Sequence, residues 1–200
     1  RRRIMAIKKR PVSPRQKMIN LMYVVLMAML ALNISTEVLN GFSIVEESLN
    51  RTTANSSAEN KMLYGNFADQ MKTNPQKVKM WFEKATQVKN MSDSLYNFAQ
   101  ELKEAIVKEA DGNDGDVRNI DNKDDLEAAA IVMLAPGSGK GKRLFNAINS
   151  YRERILKMVT DPRHQQTIKS NLSTTVPRNS NTLGKNWQEY MFENMPVAAA

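Results

Sequence analysis

The chain has 200 residues, with 29 Lys and Arg against 21 Asp and Glu, a formal charge of +8 and a pI near 9.7. That excess is local: residues 1–17 hold eight cations (Arg1, Arg2, Arg3, Lys8, Lys9, Arg10, Arg15, Lys17) and no acid, which leaves 21 basic against 21 acidic residues over 18–200 and removes the usual ground for reading a basic chain as nucleic-acid binding. With no cysteine and a single histidine, His164, neither a zinc site nor a histidine triad is supported, and no enzyme activity, metal or cofactor is expected.

In chain order, the basic tail 1–13 runs into Ser13-Pro14-Arg15-Gln16, where Ser13 suits a helix cap, Pro14 the first helical position, and Gln16 a return bond to the cap. Fifteen uncharged, mostly apolar residues follow, Met18–Leu32, and the stretch 14–36 is expected to cross a membrane. Cations ahead of a first span stay in the cytoplasm, so the N-terminus is expected there and the remainder in the periplasm, anchored by a single pass through the inner membrane. A cleaved signal peptide fits less well. No Ala-x-Ala follows, Asn20 interrupts the run, and Ile34, Val38, Phe42, Val45 and Leu49 continue one helical face. A helix from Pro14 to Leu49 would hold 36 residues. At about 1.5 Å each it would reach about 54 Å, against a hydrocarbon core of about 30 Å.

The apolar part is nevertheless short, since a lipid-exposed span needs about 20 residues. Gln16, Asn20 and Tyr23 fall on one face and carry polarity into it. Either a shell of other helices satisfies that stripe, or Asn20 sits in a hydrated interface while Arg15 and Lys17 snorkel. Between Lys17 and Thr36 there is no Asp, Glu, His or Lys, so the span holds no group that could carry a proton across the bilayer.

Beyond it the expectation is an all-α bundle over 37–195, since no segment alternates with period two. A Ser/Thr/Asn-rich turn is placed at 52–57, and a short helix through Leu63, Phe67 and Met71. Asn74-Pro75 starts a helix whose seam, Val78, Trp81, Ala85, Val88, Ser92, Leu95, Ala99, Leu102 and Ile106, ends near Glu109 with Ser92 its one polar break. Residues 111–116 read as a loop. A helix through Leu126, Ala130 and Met133 stops at Pro136-Gly137, the next (Leu144, Ile148, Tyr151, Ile155, Val159) before Asp161-Pro162, and a last one covers Trp187–Glu193 after an irregular 171–186. Gly137-Ser138-Gly139-Lys140-Gly141-Lys142 lacks the first glycine, the final hydroxyl and the preceding strand of a phosphate loop. The acidic loop fails the calcium-hand pattern at Gly115, Asp116 and Asn122.

Pro11-Val12-Ser13-Pro14-Arg15-Gln16-Lys17-Met18-Ile19-Asn20-Leu21-Met22-Tyr23, with Met29 to Ser35 and Glu37-Val38-Leu39, closely resembles the start of the GldM/PorM family, and the Lys9-Arg10-Pro11-Val12-Ser13-Pro14 form leans towards PorM. The resemblance implies an inner-membrane component of type IX secretion. In that family one membrane helix carries a helical first periplasmic domain and then β-rich domains, so 196–200 would begin a linker. It further implies a rotary motor driven by the proton-motive force, in which a dimer sits inside a ring of GldL/PorL, passes torque to a periplasmic ring, and powers secretion and, in some hosts, gliding. The proton-carrying carboxylate would then come from the partner. Arg15, Lys17, Asn20 and Tyr23 are the candidate ring contacts, and Val38, Gly41, Phe42 and Val45 the candidate dimer contacts. The rival from another class is a truncated chemoreceptor-like sensor domain. It would need a second span, and the best later apolar run, Ala128–Ala135, has eight residues. A passive tether is the third reading.

Overall fold

The structure is a computed structural model and describes residues 13–32 and 36–200. The basic tail over 1–12, and the expected helix continuity through Ile34, lie outside the described residues. Two compact units divide between Val38 and Leu39.

The first unit contains α1, Pro14–Leu32. Its start follows from Ser13, whose hydroxyl accepts from the backbone N–H of Gln16 at 3.3 Å and whose carbonyl accepts from Lys17 N–H at 3.0 Å. Gln16 does not close the expected reciprocal cap. Its amide donates to Asn20 Oδ1 at 3.1 Å, one turn on, because two amides at i and i+4 meet on a helix surface. Among the described residues no helix is long and apolar enough to cross a membrane. In α1 a polar first turn, with Arg15 and Lys17, takes up length that a self-sufficient span would give to apolar residues.

The second unit is built of helices joined by irregular segments, with no strand among its described residues and one isolated bridge, Asp116 to Asn119. α2, Thr36–Thr73, which begins just before the unit boundary, runs without interruption through 52–57, where a turn was expected. Ser, Thr and Asn weaken a helix by only about 0.5 kcal/mol each relative to Ala, and without Gly or Pro nothing there breaks the ladder. Thr52 instead bonds back to the Ser48 carbonyl at 2.9 Å. Asn74 and Pro75 then turn the chain into α3, Pro75–Asp111, which ends at Gly112 with φ +88°. Tyr64 ties the two long helices together, donating its hydroxyl proton to the Ala85 carbonyl at 2.9 Å.

Only the last third of the expected α3 seam is core. Leu102, Ile106 and Val107 are buried, whereas Trp81 is 55% exposed. The burial is supplied by α4, Ala128–Leu134, which packs on α3, on α5 (Lys140–Met158) and on α7 (Trp187–Phe192). Asp125 caps the entry to α4, its carboxylate accepting from Glu127 N–H at 2.7 Å and Ala128 N–H at 3.1 Å. α6, Pro162–Asn171, was not expected. Its signal is Asp161-Pro162, with the Asp161 carboxylate accepting from Arg163 N–H at 2.8 Å and Pro162 in the first turn. α7 carries a complete capping box between Asn186 and Glu189, and Trp187 lies between Phe145 and Phe192, with ring centroids 5.7 and 6.1 Å away.

Pro196 and Val197, at the expected start of a linker, are buried, and Val197 N–H and Ala198 N–H donate to the carbonyls of Asp125 (3.0 Å) and Lys123 (3.1 Å). An apolar Pro-Val pair beside an open backbone edge packs rather than stays in water.

Gly141, inside the false phosphate loop, shows what that glycine-rich stretch is for. A Cβ there would lie 2.8 Å from the Met133 carbonyl oxygen and 3.2 Å from Gln188 Cγ, so α5 can cross α4 and α7 only without a side chain. Gly141→Ala is expected to lower unfolding stability by about 1–3 kcal/mol, as overpacking does. Gly65, in the middle of α2 with nothing within 4 Å of its missing Cβ, sets the contrast. Gly65→Ala should raise stability by about 0.5–1 kcal/mol. Denaturant unfolding of both variants beside the parent checks the two signs.

Candidate functional site

Two surfaces carry the residues singled out by sequence. On α1, Gln16, Asn20 and Tyr23 form the expected polar face and all three are exposed. Arg15 and Lys17 flank it in the first turn and are exposed as well, and among the described residues neither makes an ion pair, the three bridges being Asp69–Lys72, Lys89–Asp93 and Lys185–Glu193. The structure therefore gathers Arg15, Lys17, Asn20 and Tyr23 on about two and a half turns of one helix. No carboxylate in α1 answers the two cations.

On α2, Val38 belongs to the first unit and is half exposed. Gly41 opens onto empty space, with nothing within 4 Å of a Cβ built there. Phe42 is half-buried and Val45 exposed, and both line a cavity of about 210 Å³ against the end of α3 and the C-terminal segment. Gly41 thus leaves the surface open, while Phe42 and Val45 look into their own bundle.

Sequence reasoning missed the polar links that hold the second unit together. Ser92, the polar break in the α3 seam, donates to the Val88 carbonyl at 2.9 Å and lies 2.7 Å from the Tyr151 hydroxyl on α5. Its hydroxyl is there to satisfy a tyrosine in a half-buried contact. Beside it, burial raises the Tyr64 phenol above its ordinary value, partly offset by the Lys89 charge, and Lys89 is itself raised by its hydrogen bond to Asp93. The second link is Asp111, the last residue of α3. Its carboxylate accepts from Asn122 N–H at 2.8 Å and Asp121 N–H at 2.9 Å, and the Asn122 side chain donates back to the Ala110 carbonyl at 2.9 Å. A carboxylate at a helix C-terminus opposes the helix dipole, so these donors, not the dipole, justify it. No local pattern announces it, because the partners lie ten and eleven residues away.

With this geometry in place, comparison with known protein families matches residues 37–200 to the GldM N-terminal domain. The chain belongs to that family. A search of curated proteins returned no match. Membership points to a component of gliding and type IX secretion. The matched range is the helical bundle, which the sequence resemblance covered by motif only to residue 42 and beyond that by architecture, and it leaves the Pro11 to Tyr23 motif and α1 outside. It speaks for the GldM/PorM family as a whole, not for the PorM form.

The backbone hydrogen bonds from Asn122 and then Asp121 hold the Asp111 carboxyl below its ordinary value. A lowered carboxyl stabilises the fold above the unfolded value of about 3.9, and that stabilisation is lost as pH falls through the lower native value. The Asp121 and Asn122 amides should therefore stay protected from hydrogen exchange through the ordinary carboxylate range and lose protection only as pH falls through the lower native value. In Asp111→Asn, which keeps one good acceptor, at least one of the two should exchange freely at neutral pH. Amide-resolved exchange measures both.

Proposed function

We propose that this chain is the torque-transmitting subunit of a rotary motor that is driven by the proton-motive force and powers type IX protein secretion, and gliding where the host glides. Its α1 stands in the inner membrane, its N-terminus faces the cytoplasm, and its bundle stands in the periplasm. Two copies sit side by side inside a ring of the GldL/PorL partner, with Val38 and Gly41 towards the pair axis, and later domains reach the periplasmic ring.

Family membership supports this reading, and the observation that carries it is the charge pattern of α1. The helix has Arg15 and Lys17 at its threshold, an amide pair one turn in, and no acid. A helix whose uncharged run, Met18–Leu32, has 15 residues against the about 20 that a lipid-exposed span needs is a suitable axle for a ring that surrounds it. Having no proton carrier, it needs the partner's carboxylate, and Arg15 is the fixed counter-charge for that carboxylate. Asn20 and Tyr23 offer the ring hydrogen bonds at the next two turns.

The test is secretion by Arg15 variants in cells. Arg15→Ala should leave the membrane complex assembled, since burial of Leu21, Val24, Val25 and Leu26 supplies most of the association, yet reduce secretion about tenfold or more, the scale on which losing one member of a desolvated charge pair is felt. Arg15→Lys, which keeps the charge without the planar fork, should retain part of the activity. Normal secretion by Arg15→Ala would remove Arg15 from the mechanism and leave it a topology signal.

A further inference from the structure

Within the second unit the proximal turns of α2 stand beside two gaps. The cavity of about 210 Å³ separates Phe42, Val45 and Leu49 from Ile106, Val107 and Val117. A wider groove of about 890 Å³ separates Glu46 and Glu47 of α2 from a wall bearing Lys103, Lys108, Arg118 and Lys123. That wall also carries Glu104 and Asp116, so its net charge is about +2, against −2 on the α2 side. Among the described residues none of these eight groups is ion-paired. The apolar row is as unfinished as the charges: α2 contributes no buried residue, and Val45 and Leu49 are 55% and 61% exposed.

Spacing explains why both rows meet one wall. Residues 42, 45, 46 and 49 recur at i, i+3, i+4 and i+7, so the apolar row and Glu46 share a face, with Glu47 on its edge. A helix that presents an apolar row opposite an apolar wall, and two carboxylates opposite a wall of matching positive charge, has the complement of a packed interface without the contact. Farther along, the same helix is held: Tyr64 bonds across to Ala85, and Phe67, Ala68 and Met71 are half-buried. One end is fastened and the other stands off.

We propose that residues 39–52 of α2 form an arm that closes onto the end of α3, turning about the Tyr64 attachment. Closure seats Phe42, Val45 and Leu49 on Ile106, Val107 and Val117, and brings Glu46 and Glu47 to Lys103, Lys108 and Arg118. It also presses the arm on Val197, which lines the inner cavity and is fastened to the Asp125 carbonyl at 3.0 Å. The closed arm thereby joins the first turns of the unit to its last residues. The proposal rests on the bundle alone and does not depend on the motor reading.

The chain has no cysteine, so two spin labels can be placed without background. Ser48→Cys on α2 and Glu101→Cys on α3 are both exposed and outside the proposed contact. In the full chain, diluted with unlabelled chain so that only intramolecular pairs report, the distance distribution should show two populations, the shorter one growing as salt is lowered. Glu46→Lys with Glu47→Lys should cut the shorter population about fivefold or more, since exposed pairs are individually weak but here are replaced by repulsion. Adding Lys103→Glu and Lys108→Glu should restore it, which also guards against a variant that merely unfolds. A single distance that ignores both salt and charge reversal would overturn the arm. So would a shorter population that appears only when the labelled chain is not diluted with unlabelled chain, which would give the groove to a second copy.

Discussion

Everything in the bundle turns on how closely three helices approach one short one. α4 has seven residues, and its first two, Ala128 and Ala129, are fully buried. Small side chains let α3, α5 and α7 close on it, and Gly141 extends the same economy of volume to the crossing of α5. Leu102, Ile106, Val107, Val132, Met133, Phe192 and Val197 then fill a single core around that point. A larger residue at any of these contacts would have to move a helix, not a side chain.

This placement divides the second unit unevenly. The core lies at the C-terminal end of α3, and the opposite end of the α2/α3 pair is held by lighter means: the Tyr64 hydroxyl on Ala85, the Ser92 and Tyr151 hydroxyls against each other, and half-buried side chains such as Phe67 and Val78. Asp111 secures the far end of that core, tying the end of α3 to the loop that leads into α4. The loop in turn holds the last residues through Val197 and Ala198. The end of α3 is therefore joined to Val197 and Ala198 through hydrogen bonds and core contacts.

Much of this was legible in the sequence where one residue decides an outcome. Asn74-Pro75 starts α3, Pro136-Gly137 stops α4, Asp161-Pro162 ends the α5 pattern, and Trp187 opens α7 within a residue of expectation. The failures have physical causes. At 52–57 polar composition suggested a turn, but composition without Gly or Pro does not break a helix already propagating. α6 was missed because its apolar face is nearly absent, leaving only the Asp161 cap as a signal. The α3 seam looked uniformly buried because periodicity reports which face is apolar, not whether anything covers it. On α1, spacing alone placed Gln16, Asn20 and Tyr23 on one face, while the bond that uses Asn20 went to Gln16 and left Ser13 to cap without reciprocation. The links through Asp111 and Ser92 join residues too far apart in the chain for any local pattern to reveal.

On the proposed reading these features divide the labour: α1 receives force from the ring through Arg15, and the bundle passes it outward through α3 and its locked end. The most direct measurement of that account is the composition of the complex extracted with this chain from native membranes in their own lipid, with the copies of each protein counted by mass. The account predicts two copies of the chain enclosed by a larger number of copies of one multi-helix membrane protein that supplies an intramembrane carboxylate. A chain recovered alone, or with a partner lacking any such carboxylate, would contradict it.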